Sequence, residues 1–426
     1  MKTYIGVYLG SVVLALAITP LVIRLARRLN AIDVPGVRAV HTKPIPRIGG
    51  MAIFLSAMAM IVSVLFMDNR IGEAFWAARW ELGSLLCMAS FIFLVGFVDD
   101  LRNLPARVKL GAEILAAVIL CRAGVEITSL DITSDWALEF DVLSCPVTVL
   151  WIVGIANAVN LSDGLDGLAA GVSAIACAVI AIFALYSGNM VMAVCMLALL
   201  GSLTGFLFFN FNPAKTFMGD CGSLFLGFTI AASSVMCLTK SSALVGLALP
   251  TLALGIPIFD TLFAMLRRFL ERRSLFAPDR SHFHHRLIDL GLEPRHAVIA
   301  IYAVTCMATG LGLFMMIRRD LGALLVFACV LVLLILLFRI VGAVCFRDIL
   351  LGLQRNHLLI QRRKREDVTF EHLQLHFRQV KTSLQKWQAV CEAADQLEFA
   401  WISLCVDSED GRTETIWRRP GVHPEP

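Results

Sequence analysis

Five aspartates stand where membrane-length apolar runs meet polar loops. They are Asp99 and Asp100 closing FLVGFVDD, Asp163 and Asp166 in NAVNLSDGLDGLAAG, and Asp220 in FNFNPAKTFMGDCGSL. Carboxylates at the edge of hydrocarbon are costly and usually serve a function. Gathered on one face, such hard oxygen ligands suit a magnesium-dependent site for a phosphate-bearing substrate. Asp99 and Asp100 repel each other unless a metal or cation neutralises the pair, and Lys109 is near enough in sequence to help. Capping a helix needs one carboxylate, not two. Asn157 and Asn160 sit roughly one helical turn apart just before Asp163 and Asp166. Either aspartate can cap the following helix; the D-x-x-D spacing is unlike a calcium loop, which needs more ligands. Asn212 and Lys215 precede Asp220, and Gly219 and Gly222 flank it, so backbone N–H groups at a helix start can face an anion. Asp220 itself favours a metal over direct phosphate contact.

Cationic residues recur beside these carboxylates. The loop IDVPGVRAVHTKPIPRIGG carries Arg38, His41, Lys43 and Arg47, and its prolines forbid a continuous helix. It reads as a phosphate cradle or as a positive flank of a span. Asp260, inside PIFDTLFAMLRRFLERR, would be expensive in lipid and is expected to face the bundle interior. The next loop, SLFAPDRSHFHHRLIDLGL, holds Asp279, Arg280, His282, His284, His285 and Arg286. Its H-x-H-H spacing lacks the matched cysteine or carboxylate of a zinc site. Imidazoles beside arginines suit a diphosphate better.

The elements that must position these groups are membrane helices. The chain has 426 residues, 58% hydrophobic and only 16% charged, with a mean hydropathy of +0.77. Soluble domains carry about 25% charged residues. Apolar segments near 3–23, 49–67, 82–98, 108–122, 145–160, 167–187, 190–209, 221–239, 242–266, 297–317 and 321–345 predict about eleven transmembrane helices. The predicted fold is an all-α polytopic membrane protein, with residues 1–345 as the catalytic domain and residues 346–426 as a small cytoplasmic α+β extension. Of the 37 Lys and Arg residues, 29 fall on one side of these spans, which predicts an outside N-terminus and cytoplasmic aspartate loops and tail. The first span lacks the charged n-region and cleavage site of a signal peptide. Twelve cysteines are scattered without a C-x-x-C spacing, and read as small buried apolar residues rather than as zinc ligands or disulfides.

With these residues in view, the chain resembles the polyprenyl-phosphate N-acetylhexosamine-1-phosphate transferases. It is similar to the undecaprenyl-phosphate GlcNAc-1-phosphate branch that starts enterobacterial common antigen, O-antigen or teichoic acid linkage units. The phospho-MurNAc-pentapeptide translocases are related and share the fold. The likeness runs from about residue 20 to 295 and carries DD, N-x-x-N-x-x-D-G-x-D-G, M-G-D-x-G-S-L and H-x-H-H-R-L in order. It implies that Asp220 holds Mg2+, with Mn2+ as a substitute, and that Asp99 and Asp100 handle the lipid phosphate as base or positioning group. Lys109 would contact phosphate, and Asn160, Asp163 and Asp166 would line the nucleotide pocket. His282, His284 and His285 would bind the nucleotide-sugar diphosphate. The expected catalytic set is thus Asp99, Asp100, Lys109, Asp163 and Asp166. The expected substrate-binding set is Arg47, Asn157, Asn160, Lys215, Asp260, Arg280, His282, His284, His285 and Arg286. Glu113 departs from the pattern, which leads one to expect glutamine there.

The implied reaction is phosphoryl transfer. An oxygen of undecaprenyl phosphate attacks the β-phosphorus of a UDP-N-acetylhexosamine, giving the lipid diphospho-sugar and UMP. The implied setting is the bacterial inner membrane. The partners are those two substrates and the bilayer, with no nucleic acid. A muramoyl-pentapeptide translocase is the sister reading. A transporter would show inverted repeats, and no motif here has a second copy. In the tail, RDILLGLQRNHLLIQRRKR can lie on an anionic leaflet. Phe370, Leu373, Phe377, Val380, Leu384, Trp387 and Cys391 then alternate spacings of three and four. That pattern makes either a homo-oligomeric seam or a helix packing on the hairpin expected in EFAWISLCVDSEDGRTETIWRR. The intramolecular packing is preferred, because a lone hairpin is unstable in water. The tail lacks the carboxylate and histidine clusters and is expected to be dispensable for the chemistry.

Overall fold

The computed structural model describes residues 1–34, 44–133, 136–238, 243–270, 282–318, 321–341, 382–397, 399–408 and 411–420. The chain divides into two compact units, Met1–Cys345 and Phe346–Pro426. The first begins with α1 (Lys2–Arg28), β1 (Ile32–Asp33), β2 (Ile45–Pro46), α2 (Gly50–Val64), α3 (Arg70–Ala77), α4 (Arg79–Arg102) and α5 (Ala106–Arg122). A hairpin, β3 (Ser129–Thr133) and β4 (Trp136–Glu139), leads to α6 (Ser144–Leu161), α7 (Leu168–Tyr186), α8 (Met190–Asn210) and α9 (Gly219–Leu238). Then follow α10 (Ala243–Ala253), α11 (Gly255–Leu270), α12 (Phe283–Asp289), α13 (Pro294–Arg318) and α14 (Leu321–Ile340).

Every apolar segment expected to span is helical, yet the helices are not equally long. Among the described residues, α1, α4, α6, α7, α8, α9 and α13 are long and apolar enough to cross a bilayer. The expected span at 242–266 is broken: α10 and α11 bend by 77° where they meet, so they count as one further span at most. Pro257 supplies the reason, because it has no N–H for the carbonyl of Ala253 four residues earlier. α2 has 15 residues and α5 has 17, short of the roughly 20 that hydrocarbon asks for. Among the described residues, seven helices, or eight spans with the bent pair counted as one, meet that length.

α9 is the central element. It packs against α2, α4, α6, α7, α8 and α10, and nearly all its side chains are buried. A helix apolar all round belongs in such a position. Phe225 of α9 meets Phe54 of α2 edge to face at 5.3 Å, and Phe54 stacks on Phe93 of α4 at 4.0 Å. Small residues set the closest approaches. A Cβ on Gly50 would lie 2.2 Å from the Cα of Gly222, and one on Gly96 would lie 2.5 Å from the carbonyl oxygen of Asp220. Such contacts let backbones meet where side chains would hold them apart. They bring the start of α9 against the end of α4.

The second unit contains α15 (Ser383–Gln396) and an antiparallel hairpin of β5 (Trp401–Ser408) and β6 (Gly411–Arg418). Thr382 closes a capping box with Gln385 at the start of α15. The expected hairpin is present, and α15 touches β5. The buried face of α15 is Ala389, Ala393 and Ala394, whereas Leu384 of the expected seam is exposed. The earlier seam positions and the basic segment at 347–365 lie outside the described residues.

Candidate active site

α4 stops because Asn103 takes a left-handed conformation, φ 51°. Pro105 then precedes α5, so the chain doubles back and returns Lys109 to the end of α4. The Lys109 ammonium lies 2.9 Å from Asp99 Oδ2 and 2.6 Å from Asp220 Oδ2. One lysine therefore ties the tip of α4 to the start of α9. The other Asp99 oxygen accepts the N–H of Leu104 at 2.5 Å.

Asp100 does something different from its neighbour. Its two carboxylate oxygens accept the backbone N–H groups of Asp220 and Cys221, each at 3.0 Å. It thus caps α9 from another helix, where the helix dipole favours negative charge. Arg47 donates Nε to the Asp100 carbonyl at 2.7 Å and Nη2 to the same oxygen and to Asn103. Gly219 has φ +74°, and a Cβ there would come within 1.9 Å of the Arg47 carbonyl oxygen. Only glycine fits both the conformation and the space.

Asn160 donates to Asp220 Oδ1 at 3.2 Å and to Ser223 at 2.8 Å. One turn earlier on α6, Asn157 donates to the buried Glu113 carboxylate and to the carbonyl of Val153. Asp166 Oδ2 accepts from the Asn212 side chain and the Ala214 N–H, both at 3.0 Å, so it shapes the turn before Asp220.

A cavity of about 880 Å³ opens beside this cluster, lined by Asp100, Asp163, Asp166, Asp220, Arg27, Arg47, Lys215, His285 and Phe217 among others. Burial, together with the charges of Asp220, Asp100 and Asp166, pushes the Asp163 carboxyl up to about 8. Four acidic side chains around one cavity are groups that could hold a divalent cation. Among the described residues no three His, Cys, Asp or Glu side chains form a ready cage. Mg2+ does not need one: it is commonly held by one or two carboxylates, with waters and substrate phosphates filling the rest. Asp220 is the carboxylate that would serve, although Lys109 and the Asn160 amide hold its two oxygens here.

The glycosyl transferase family 4 profile matches residues 82–238. The chain is 41% identical over 300 residues to a probable undecaprenyl-phosphate N-acetylglucosaminyl 1-phosphate transferase of Bacillus subtilis, covering 70% of this chain and 80% of that one. The chain belongs to the polyprenyl-phosphate N-acetylhexosamine-1-phosphate transferases. A decaprenyl-phosphate N-acetylglucosaminephosphotransferase of Mycobacterium tuberculosis is 34% identical over 302 residues, 65% of this transferase and 74% of its own length. A phospho-N-acetylmuramoyl-pentapeptide-transferase of Desulforudis audaxviator is 30% identical over 334 residues, 72% of this transferase and 95% of its own length.

Not every expected site residue of the transferase reaches the cavity. Asp260 is buried away from it: Oδ2 lies 3.0 Å from His282 Nδ1 and Oδ1 accepts the Phe283 N–H at 2.8 Å. It holds the start of α12 and does not line the cavity. His282 and His284 are buried and stacked, with ring centroids 5.7 Å apart. A Cβ on Gly164 would lie 2.6 Å from His284 Nε2. Burial drives the His284 imidazole down to about 3, so it is neutral at working pH and can offer hydrogen bonds but no positive charge. Of the three histidines, only His285 lines the cavity. Arg286 is half-buried and its Nε finds no partner. Lys215 is exposed and lies over the rings of Phe208 and Phe209 at 5.7 and 5.8 Å. Arg38, His41, Lys43 and Arg280 lie outside the described residues. Sequence reasoning passed over Arg27, Phe217 and Ser223. Phe217 and Ser223 sit within the FMGDCGS run, whose position next to Asp220 was the available signal.

Proposed function

We propose that this transferase moves N-acetylglucosamine 1-phosphate from UDP-N-acetylglucosamine to undecaprenyl phosphate, releasing UMP and starting a cell-surface polysaccharide. The observation that carries the proposal is Lys109 bridging Asp99 and Asp220 beside an acid-lined cavity. The relatives from Bacillus and Mycobacterium support the acceptor class and the sugar.

Two anions must meet, so neutralisation is the main task. The lipid phosphate, a monoester with a second pKa near 6, is already largely dianionic, and a general base has little to remove. Asp100 is occupied in holding α9, so its part is positional. Asp99 and Lys109 are left to orient the attacking phosphate. Arg47 fixes the Asp100–Asn103 turn on which both depend. Asp163 and His285 face the cavity, where the nucleotide diphosphate would lie. A divalent cation on Asp220, Mg2+ or its substitute Mn2+, would draw charge from the diphosphate oxygens.

The excess of Lys and Arg on one side of the apolar segments supports a cytoplasmic position for the site loops and residues 346–426, with the N-terminus outside. With all eleven apolar segments crossing, the short α2 and α5 would end at the site, where the cavity admits water. Residues 346–426 supply no part of the chemistry in this reading.

The test is UMP release by purified protein given undecaprenyl phosphate and a panel of UDP-N-acetylhexosamines. Turnover with UDP-N-acetylglucosamine is expected. Silence with every hexosamine, but turnover with the muramoyl-pentapeptide donor, would overturn the assignment.

A further inference from the structure

Asp220 is not free to receive a cation. Lys109 occupies its Oδ2 at 2.6 Å, and the Asn160 amide sits on Oδ1 at 3.2 Å. An ammonium and a divalent ion cannot share one carboxylate oxygen without strong repulsion. A metal on Asp220 must therefore evict Lys109, and the evicted donors need an acceptor in a partly buried site.

One acceptor stands ready. Glu113 is 1% exposed, and its Oε2 is held by Asn157. Its Oε1 is the only carboxylate oxygen among the buried, unpartnered side-chain atoms of the described residues. Lys109 and Glu113 are four residues apart on α5, the spacing at which helical side chains meet. Asn157, which anchors Glu113, stands one turn from Asn160, which touches Asp220. Lys109 of α5 and Asn160 of α6 meet through Asp220 of α9. Glu113 and Asn157, each one turn deeper on the same two helices, meet directly and leave Glu113 Oε1 vacant.

We propose that Lys109 keeps the metal's place on Asp220 and that Glu113 is the positioning residue that receives the Lys109 ammonium when a divalent cation binds. The ammonium keeps one bond to Asp99 throughout. Its freed donors turn from Asp220 Oδ2 to Glu113 Oε1, and no proton changes hands. The inference rests on the reading of Asp220 as the metal ligand.

The test is Mn2+ binding by the full chain in detergent micelles without substrates, read from the free Mn2+ resonance. Glu113→Gln keeps an acceptor for Asn157 but turns the vacant oxygen into an amide NH2 that the ammonium avoids. The variant should bind Mn2+ about tenfold more weakly, or worse. Lys109→Met removes the resident cation and should bind Mn2+ more tightly than the unaltered protein. In that background Glu113→Gln should change the affinity less than twofold. An equal loss from Glu113→Gln with and without the lysine would reduce Glu113 to a packing role and overturn the proposal. So would weaker Mn2+ binding in Lys109→Met. Asp220→Asn reports on the underlying reading separately. If it leaves Mn2+ binding unchanged, the metal sits elsewhere and both ideas fail.

Discussion

Replacing Asp100 by asparagine separates two roles that its neighbour Asp99 tends to blur. Both Asp100 oxygens accept N–H groups at the start of α9, from Asp220 and from Cys221, at 3.0 Å each. Asparagine keeps one carbonyl oxygen and sets an NH2 against the second N–H. Whichever way the amide turns, one buried donor faces another donor. Losing a charge-assisted bond and stranding its donor costs about 2–3 kcal/mol. At roughly 2–4 °C per kcal/mol for a domain of moderate size, the unfolding midpoint should fall by about 5 °C. The cost falls on the residue that carries Asp220, so the site should be displaced along with it. A misplacement of about 1 Å commonly costs about 100-fold in rate. Thermal unfolding in micelles and single-turnover UMP release, run side by side on Asp100→Asn and Asp99→Asn, provide the assay. Asp100→Asn should lower both readings, whereas Asp99→Asn, which loses a lysine contact and not a helix cap, should lower the rate with a smaller change in midpoint. An Asp100→Asn protein with the original midpoint and a collapsed rate would show that Asp100 acts on the substrate directly, and the argument from the α9 cap would be wrong.

Three further outcomes are expected. Gly50→Ala should prevent α2 from seating on α9, because the new methyl would lie 2.2 Å from backbone at Gly222; a well-folded, fully active variant would show that the crossing relaxes easily. Asp260→Asn should release the start of α12, raising the KM for the UDP-sugar at least several-fold through His285; an unchanged KM would show that α12 needs no such anchor. Asp163, raised to about 8 by burial and neighbouring carboxylates, carries a proton at pH 7 that a cation in the cavity would expel. A raised carboxyl is protonated below its pKa, so release should be largest below pH 8 and vanish above it. Calorimetric Mg2+ titrations in two buffers of different ionisation enthalpy should disagree at pH 7 for the unaltered protein and agree for Asp163→Asn; buffer-independent heats in both would refute the coupling.

Much of this protein is written locally and can be read without coordinates. Runs of apolar residues of membrane length specify helices because every backbone polar group must be satisfied inside the segment. Each expected run is helical here. The clustering of Asp99, Asp100, Asp163, Asp166 and Asp220 beside helix ends pointed to the candidate site, because charge is tolerated near hydrocarbon only where it serves a purpose. Hydropathy could not report where a span breaks, since Pro257 removes a hydrogen bond without lowering the apolar content of its segment. Nor could it assign work within the set. Asp99 and Asp100 are adjacent and chemically identical, yet successive positions on a helix point about 100° apart; one meets a lysine and the other meets the start of α9. Asp260 looked like a ligand because it is a carboxylate in an apolar run, and only its contact with His282 and Phe283 shows it to be an anchor. The pairing of Lys109 with Asp220 spans 111 residues. It depends on glycines at 50, 96 and 222 letting three backbones approach more closely than any side chain would allow. Tertiary structure decided those relations because they are distances between segments, and local pattern encodes only the conformation within one.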